Sequence, residues 1–196
     1  MYKVTLITFD SSNYSLEDLL SLTNIESSFV NKYKQLETKK EKLISEYFKR
    51  KYVSSYYLSE TNKPLSKDIK FNISHSHGII CLVLSESIDI GVDIELIRKK
   101  EDRLKEYISS PSELDYINSD INFYEVWTSK ESLVKCIGSG LVNNIKEIPS
   151  LPINGKKYYL GESYISKCIH LDNSIISITL KGEDDFKVDL LKEKIN

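Results

Sequence analysis

The stretch that decides the fold is Gly91-Val92-Asp93-Ile94-Glu95, in which apolar and acidic residues alternate. Side chains of a β-strand point alternately to opposite faces, so the pattern predicts a strand with an apolar face and an acidic face. Carboxylates at this spacing suit Mg²⁺, which takes one or two protein carboxylates and fills its other positions with water and phosphate. On this stretch alone, a strand with a solvated, charged face is the favoured interpretation, because an Asp-x-Glu pair is common.

Length and composition are those of an ordinary soluble protein. The 196 residues are enough for one domain or two small lobes, and 40% of them are hydrophobic. The net charge of -2 provides no basic field for a nucleic acid. We predict no membrane association, because the N-terminus is too polar for a signal peptide and no apolar run reaches spanning length. Three cysteines, odd in number and far apart, predict buried free thiols and a reducing cytoplasm.

The first half of the chain predicts a strand, helices and then three more strands. The first strand lies at the N-terminus, and a long amphipathic helix, in one or two pieces, is predicted between Phe29 and Tyr57. Strands are then expected at Lys70, at Ile79–Leu84 and around Asp93. We expect the last three to form a meander, in which each strand pairs with the next along the chain.

The second half predicts helices followed by strands. Ser110 and Pro111 are typical of a helix start, and a clear amphipathic helix from Asn122 to Ile137 ends at Gly138. Three strands are expected at residues 157–160, 164–170 and 175–180.

One stripe of the second long helix carries Trp127, Glu131 and Lys135, spaced four residues apart. A Glu–Lys pair at this spacing is normally a surface pair that contributes about 0.3–0.5 kcal/mol. Its position beside the single tryptophan of the chain favours partial burial and raises the chance of a functional role.

Three blocks occur in a specific order along the chain: FNISHS at 71–76, GVDIE at 91–95 and WTSKESLVK at 127–135, followed by Gly138 and Gly140. Together they resemble the 4′-phosphopantetheinyl transferases, and within them the monomeric surfactin-type class. The chain departs from the family at Ser129, where members often have Arg, and at Ser132, where they often have Ala.

The resemblance implies an α/β (α+β) fold built from two pseudo-symmetric lobes. Each lobe would be a small, mostly antiparallel sheet packed on a long helix, with the site between the lobes. We expect residues 1–97 to form the N-terminal lobe and residues 98–196 the C-terminal lobe of one monomeric functional unit.

The resemblance also implies a reaction. Coenzyme A would donate 4′-phosphopantetheine to a serine hydroxyl of an apo acyl or peptidyl carrier protein, with Mg²⁺ as cofactor and 3′,5′-ADP as the second product. Asp93, Glu95 and Glu131 are similar to the family's metal ligands, and Lys135 is similar to its lysine near the pyrophosphate. Glu131 would also be the general base, either directly or through a metal-bound water.

The resemblance also implies which residues contact the 3′-phosphate of coenzyme A. Lys63, Ser74 and His75 are similar to the residues that bind it in the family. Cations at the adenine end are not fixed by the motifs, although Lys39 and Lys42 are candidates.

Two alternative functions remain open. One is another Mg²⁺-dependent phosphotransfer enzyme such as a nuclease, against which the net charge of -2 argues. The other is an inactive module that binds carrier proteins without modifying them, against which the presence of all three carboxylates and Lys135 argues.

Overall fold

The computed structural model describes residues 1–140 and 144–195 and shows a mixed α/β fold. Residues 141–143 and 196, part of the predicted C-terminal lobe, lie outside the described residues. The strands are β1 (Tyr2–Asp10), β2 (Tyr57–Leu58), β3 (Pro64–Leu65), β4 (Lys70–Ser76), β5 (Ile79–Ser85), β6 (Ile90–Leu96), β7 (Gly155–Tyr159), β8 (Glu162–Leu171), β9 (Ser174–Lys181) and β10 (Phe186–Lys192). The helices are α1 (Leu16–Thr23), α2 (Leu36–Tyr52), α3 (Asp102–Ile108), α4 (Pro111–Tyr116) and α5 (Asp120–Ile137).

Two four-stranded sheets organise the described chain. The first has the order β10-β1-β5-β4 and the second the order β6-β9-β8-β7. Every neighbouring pair is antiparallel except β1 and β10, which run parallel.

The predicted meander is wrong, because β6 leaves the sheet of β4 and β5 and pairs with β9. Strand β10 was not predicted from the sequence. The lobe boundary at residue 97 stays a prediction, but the sheets do not follow it. Strand β6 lies before the boundary and joins the second sheet, whereas β10 lies after it and joins the first.

The apolar face of β6 packs between the two sheets. Ile90, Val92 and Ile94 belong to a buried cluster together with Val4 and Val83 of the first sheet. The opposite face of the first sheet covers α2, whose Leu43, Ile44 and Phe48 are fully buried in a separate cluster. The predicted alternation of β6 is thus confirmed, since its apolar residues share one face and leave Asp93 and Glu95 on the other.

Helix boundaries follow local chemistry. Ser119 caps α5 by accepting a hydrogen bond from the backbone N–H of Asn122, and Gly138 ends it with a φ of +79°. Ser110 forms a capping box at the start of α4, as Ser110 and Pro111 predict. The first long helix is shorter than predicted, because a 3₁₀ turn at Ser27–Phe29 precedes α2 and is separated from it.

Burial of the cysteines agrees in part with the prediction. Cys81 and Cys136 are buried free thiols, whereas Cys168 is only partly buried. Within the described residues, no helix has both the length and the apolar character that crossing a membrane requires.

Candidate active site

Strand β6 and helix α5 meet backbone to backbone at Gly91. A Cβ atom on Gly91 would lie 2.1 Å from the carbonyl oxygen of Ser132 and 2.4 Å from the backbone nitrogen of Cys136. Only glycine permits this approach, because it has no side chain to separate the two backbones. The contact sets the acidic face of β6 beside the part of α5 that carries Glu131 and Lys135.

Small hydroxyl side chains keep α5 close to the second sheet. Thr128 Oγ1 lies 2.7 Å from Ser177 Oγ, and Ser132 Oγ lies 2.8 Å from Thr179 Oγ1. Each hydroxyl can both donate and accept, so these buried pairs leave few polar groups unsatisfied. These hydroxyl pairs lie beside apolar contacts at the same interface, where Leu133 of α5 and Tyr164 of β8 belong to one buried cluster.

Asp93 lies at the centre of the site. Its Oδ1 accepts hydrogen bonds from Lys135 Nζ at 2.6 Å and from Ser74 Oγ at 2.9 Å. Burial acts to lower the pKa of Lys135, but the Asp93 carboxylate outweighs it and raises that pKa above its ordinary value. Asp93 Oδ2 is buried and has no hydrogen-bond partner among the described residues. A buried carboxylate oxygen without a partner costs folding free energy, so this oxygen is suited to bind a cation.

Glu95 is held by residues of two other elements. Ser76 Oγ on β4 donates to Glu95 Oε2 at 2.8 Å, and Trp127 Nε1 on α5 donates to Glu95 Oε1 at 3.3 Å. The tryptophan therefore orients Glu95 in addition to packing the helix. These two hydrogen bonds fix the carboxylate at one side of the cleft.

Glu131 is a perturbed carboxyl group. Burial raises its pKa above the ordinary value, and the carboxylate of Asp93 raises it further, while Lys135 acts in the opposite direction. A cation bound beside Glu131 would remove the unfavourable interaction between the two carboxylates.

The donor set fits Mg²⁺ held partly by water. The oxygens of Asp93, Glu95 and Glu131 do not all lie within 4.8 Å of one another in the described part of the chain. Mg²⁺ usually keeps several waters and needs only one or two carboxylates, so a compact trio is not required. All-oxygen donors and the orphaned Asp93 Oδ2 agree with this cation.

A cleft of about 690 Å³ contains these groups, within the usual range for small-molecule sites. A smaller hollow of about 340 Å³ shares Glu131 and Lys135 with it. The polar and charged residues that line the larger cleft are Lys42, Ser45, Lys49, Asn62, Ser74, His75, Asp93, Glu95, Glu131 and Lys135.

Alternate residues of β4 join the two sheets at this cleft. Asn72 Oδ1 accepts from the backbone N–H of Val92 at 3.0 Å, Ser74 contacts Asp93, and Ser76 contacts Glu95. These side chains share one face of the strand because they are two residues apart. The polar face of β4 therefore positions the acidic face of β6.

His75 lies on the other face of β4 from Ser74, among residues of α2. Its Nδ1 lies 3.0 Å from Glu41 Oε2, and its Nε2 lies 3.1 Å from Lys42 Nζ. The backbone N–H of Gly78 donates to Glu41 Oε1 at 3.1 Å. Burial acts to raise the pKa of Glu41, but the hydrogen bonds from His75 and Gly78 lower it overall. The ionised Glu41 thus orients the imidazole of His75, which in turn contacts the ammonium group of Lys42, and both His75 and Lys42 line the cleft.

Lys63 bonds to the C-terminal end of α5. Its Nζ donates to the carbonyl oxygens of Lys135 at 2.5 Å and of Cys136 at 3.2 Å, at the C-terminal end of α5. Ser74 and His75 line the larger cleft, whereas Lys63 lines the smaller hollow beside it. Their shared role at the 3′-phosphate stays a prediction.

The site also contains residues that the sequence reasoning missed. Ser76 and Glu41 were given no role, although each fixes a predicted site residue. The alternation of Asn72, Ser74 and Ser76 in the first family block was a usable signal, because polar residues two apart share a strand face. Contacts of Glu41 join residues 34 positions and more apart, so no local pattern indicates them.

A buried polar network around Lys130 ties α5 to neighbouring elements. Lys130 Nζ lies 2.8 Å from Glu113 Oε2 and donates to the carbonyl oxygens of Ile145 and Ile148 at 2.9 Å. Burial acts to raise the pKa of Glu113, but the hydrogen bonds from Lys130 and Ser150 lower it overall. Removing either partner of such a buried pair is strongly destabilising, because it leaves an uncompensated buried charge.

Lys157 adjoins this network without a bonded carboxylate among the described residues. Its Nζ donates to Ser129 Oγ at 2.6 Å, and the residue is only 3% exposed. Burial lowers the pKa of Lys157 to about 7. The amine is therefore largely neutral in the folded protein at slightly alkaline pH.

The lowered pKa of Lys157 predicts that the stability of the protein depends on pH. The ordinary pKa of this lysine is 10.5, so between about pH 7 and 10.5 the unfolded chain binds more protons than the folded chain. The free energy of unfolding should then rise with pH by up to about 1.4 kcal/mol per unit from this group. Lys157→Met should remove that rise when denaturant unfolding is compared between pH 7 and pH 9.

The matched control is Lys156→Met, which changes an exposed neighbour on the same strand. It should retain the pH dependence of the wild-type protein. Equal slopes for the wild type and Lys157→Met would show that Lys157 does not titrate in this range.

Residues 89–189 match the model of the 4′-phosphopantetheinyl transferase superfamily. The matched segment is slightly more than half of the chain and contains Asp93, Glu95, Glu131 and Lys135. It begins just before β6 and includes α5 and the strands that pack against it.

The chain is also similar to curated proteins. It is 28% identical to 4′-phosphopantetheinyl transferase gsp of Aneurinibacillus migulanus over 137 residues, which is 66% of this chain and 53% of that protein. It is 35% identical to the 4′-phosphopantetheinyl transferase of Bacillus subtilis over 85 residues, or 40% and 37% of the two chains. It is 34% identical to 4′-phosphopantetheinyl transferase AcpT of Escherichia coli (strain K12) over 73 residues, or 33% and 37%. The aligned part spans about half of the first relative and less of the others.

Proposed function

This chain belongs to the 4′-phosphopantetheinyl transferase superfamily, and from that premise we propose that it transfers 4′-phosphopantetheine from coenzyme A to a serine of an apo carrier protein. The observation that carries the proposal is the cluster of Asp93, Glu95, Glu131 and Lys135 in one cleft. Acidic oxygens and a lysine fit a reaction that requires positioning and charge stabilisation at a pyrophosphate.

The reaction replaces a phosphoanhydride bond of coenzyme A with a phosphoester bond to the carrier serine. The serine oxygen forms a bond to the β-phosphorus of coenzyme A, the bond from that phosphorus to the bridging oxygen breaks, and 3′,5′-ADP leaves. The hydroxyl proton goes to the Glu131 carboxylate, directly or through a water.

The proposed metal ligands are Asp93, Glu95 and Glu131. When bound, Mg²⁺ would neutralise charge on the phosphate oxygens and orient them for displacement. Lys135 would add a point charge near the pyrophosphate. Ser74, Ser76 and Trp127 would hold the two strand carboxylates in place through the hydrogen bonds described above.

We assign the chain to the surfactin-type class, with two lobes in one monomer and a division near residue 97. Support comes from two sheets, each packed on a long helix, within a single chain. Three free thiols favour the reducing cytoplasm. Light scattering should give the mass of one chain, and a stable trimer would contradict this assignment.

The 3′-phosphate of coenzyme A is proposed to bind at His75 and Lys42. The two side chains present an imidazole and an ammonium nitrogen 3.1 Å apart, oriented in part by Glu41. Lys63 and Ser74, which the family resemblance also implies, remain predicted contacts for this group.

His75→Ala should raise the KM for coenzyme A about tenfold or more, because a hydrogen bond to a charged group contributes about 1.5–3 kcal/mol. Its effect on dephospho-coenzyme A, which lacks the 3′-phosphate, should be small. Steady-state kinetics with the two donors measure the difference. His77→Ala is the control, because His77 contacts Ser76 and not the Lys42–His75 pair, and any effect it has should be the same for both donors. Equal losses with both donors in His75→Ala would refute the assignment.

Mass spectrometry of several apo carrier proteins tests the function directly. After incubation with coenzyme A and Mg²⁺, at least one carrier should gain one 4′-phosphopantetheine group. Binding of a carrier without a mass change would favour the inactive module. Hydrolysis of DNA or RNA without any transfer would favour a nuclease.

A further inference from the structure

A second group of metal-binding side chains lies where α5 packs on β8. Glu125 comes from the helix, whereas Cys168 and His170 are two residues apart on the strand and share one face. One ligand atom from each lies within 4.8 Å of the others, and no other trio of this kind occurs in residues 1–140 and 144–195. None of the three residues lines the cleft that contains Asp93.

Neighbouring groups already orient the Glu125 carboxylate. Its Oε2 accepts from Tyr116 OH at 2.6 Å and from Asn122 Nδ2 at 2.9 Å. Its Oε1 lies 2.8 Å from His170 Nε2. One oxygen is thus fixed by the protein while the other faces the imidazole, which is the arrangement that hydrogen-bonded outer groups provide around metal ligands.

We propose that Glu125, Cys168 and His170 bind one divalent cation of the borderline-soft class, such as Zn²⁺. A thiolate, an imidazole and a carboxylate are all established zinc ligands, whereas Mg²⁺ prefers oxygen alone. The site would be electrically neutral, because one thiolate and one carboxylate balance a charge of +2. The His170 side chain is 54% exposed, so a water can take the fourth position.

Binding must release a proton from Cys168. The metal ligand is the thiolate, so the S–H bond breaks, the proton passes to solvent and the sulfur binds the cation. His170 Nε2 must also give up the proton that it donates to Glu125 Oε1, so that the neutral imidazole carries its proton on Nδ1. The cation would then bind between Glu125 Oε1 and His170 Nε2. The inference does not rest on the proposed transferase activity, because these residues lie outside that cleft.

The bound cation would join α5 to β8. Glu125 precedes Glu131 on the same helix by six residues, or about 9 Å along the axis. A cation at this point would therefore anchor the helix that carries Glu131 and Lys135. Zn²⁺ should raise the Tm of the protein, because a ligand that binds only the folded state stabilises it.

Cobalt titration in excess Mg²⁺ tests the site, since Mg²⁺ competes at the oxygen-rich cleft. We expect one equivalent of Co²⁺ to produce a sulfur-to-cobalt charge-transfer band and the visible spectrum of a tetrahedral ion. Cys168→Ser should abolish the sulfur band, and His170→Ala should weaken binding at least tenfold. Cys136→Ser is the matched control and should keep the band. His170 is exposed enough that its replacement should leave the fold intact.

Two results would overturn the proposal. One is the absence of a sulfur band in the wild-type protein at one equivalent of Co²⁺. The other is a variant that behaves like the wild type, with a sulfur band that survives in Cys168→Ser or an affinity for Co²⁺ that is unchanged in His170→Ala. Either result would leave Glu125 and His170 as a simple ion pair. Carrier modification, measured separately by mass, is independent of both outcomes.

Discussion

Asp93→Asn is expected to lower the transfer rate by roughly 10²–10³-fold while the protein stays folded. The substitution keeps the shape of the side chain and its contact with Ser74. It removes the negative charge that faces Lys135, and it also removes the carboxylate oxygen that has no hydrogen-bond partner among the described residues. Metal coordination contributes several kcal/mol of charge stabilisation, and each 1.36 kcal/mol is a factor of ten in rate. A titration with Mg²⁺, coenzyme A and an apo carrier measures the effect.

Asp89→Asn is the matched control for this experiment. Asp89 lies just before the same strand, its side chain is half exposed, and it pairs with Lys70 at the surface. Its replacement should change the rate by less than about twofold, because exposed pairs contribute little. Normal transfer by Asp93→Asn at limiting Mg²⁺ would place the metal elsewhere and overturn the central proposal.

Gly91→Ala is expected to be the most damaging single substitution for the fold around the site. The added methyl group would lie 2.1 Å from a backbone oxygen and 2.4 Å from a backbone nitrogen of α5. Backbone cannot rotate away as a side chain can, so the helix and the strand must separate. We expect a loss of more than about 3 kcal/mol, at the upper end of overpacking costs. That corresponds to a fall in Tm of roughly 6–12 °C for a protein of this size.

Gly161→Ala separates this effect from the ordinary cost of adding a methyl group. Gly161 has a φ of +80°, and a Cβ atom added there would have Tyr158 Oη as its nearest neighbour, 4.0 Å away. Only backbone strain of about 1–2 kcal/mol is expected there. If thermal unfolding shows Gly91→Ala to be as stable as Gly161→Ala, the close contact does not hold β6 and α5 together.

Local patterns predicted the elements of this fold well. The alternation in Gly91–Glu95 identified both the strand and its acidic face, because strand periodicity is a property of neighbouring residues. Gly138 marks the predicted end of α5 by cap chemistry that acts within one helical turn, whereas the helix begins at Asp120, two residues before the predicted Asn122. The predicted strands of the second half also correspond to β7, β8 and β9, with ends that differ by a few residues.

Pairing between distant elements was not predictable in the same way. Strand β6 follows β5 closely, which favours a hairpin, yet its apolar face is buried only when it joins β9 in the opposing sheet. The polar contacts of the site also join residues that are far apart in the sequence. Lys135 was interpreted as the partner of Glu131, four residues away, but its nearest carboxylate is Asp93, which is 42 residues away.

The parallel pairing of β1 with β10 has a consequence for synthesis of the protein on the ribosome. The outer edge of β1 gains its partner only when residues 186–192 emerge, about 176 residues after Asp10. At the usual 5–20 residues per second, this interval lasts roughly 10–35 s. During that time β1 presents open backbone groups that can pair with another nascent chain. We expect a chaperone that shields exposed strand edges to increase the yield of soluble protein.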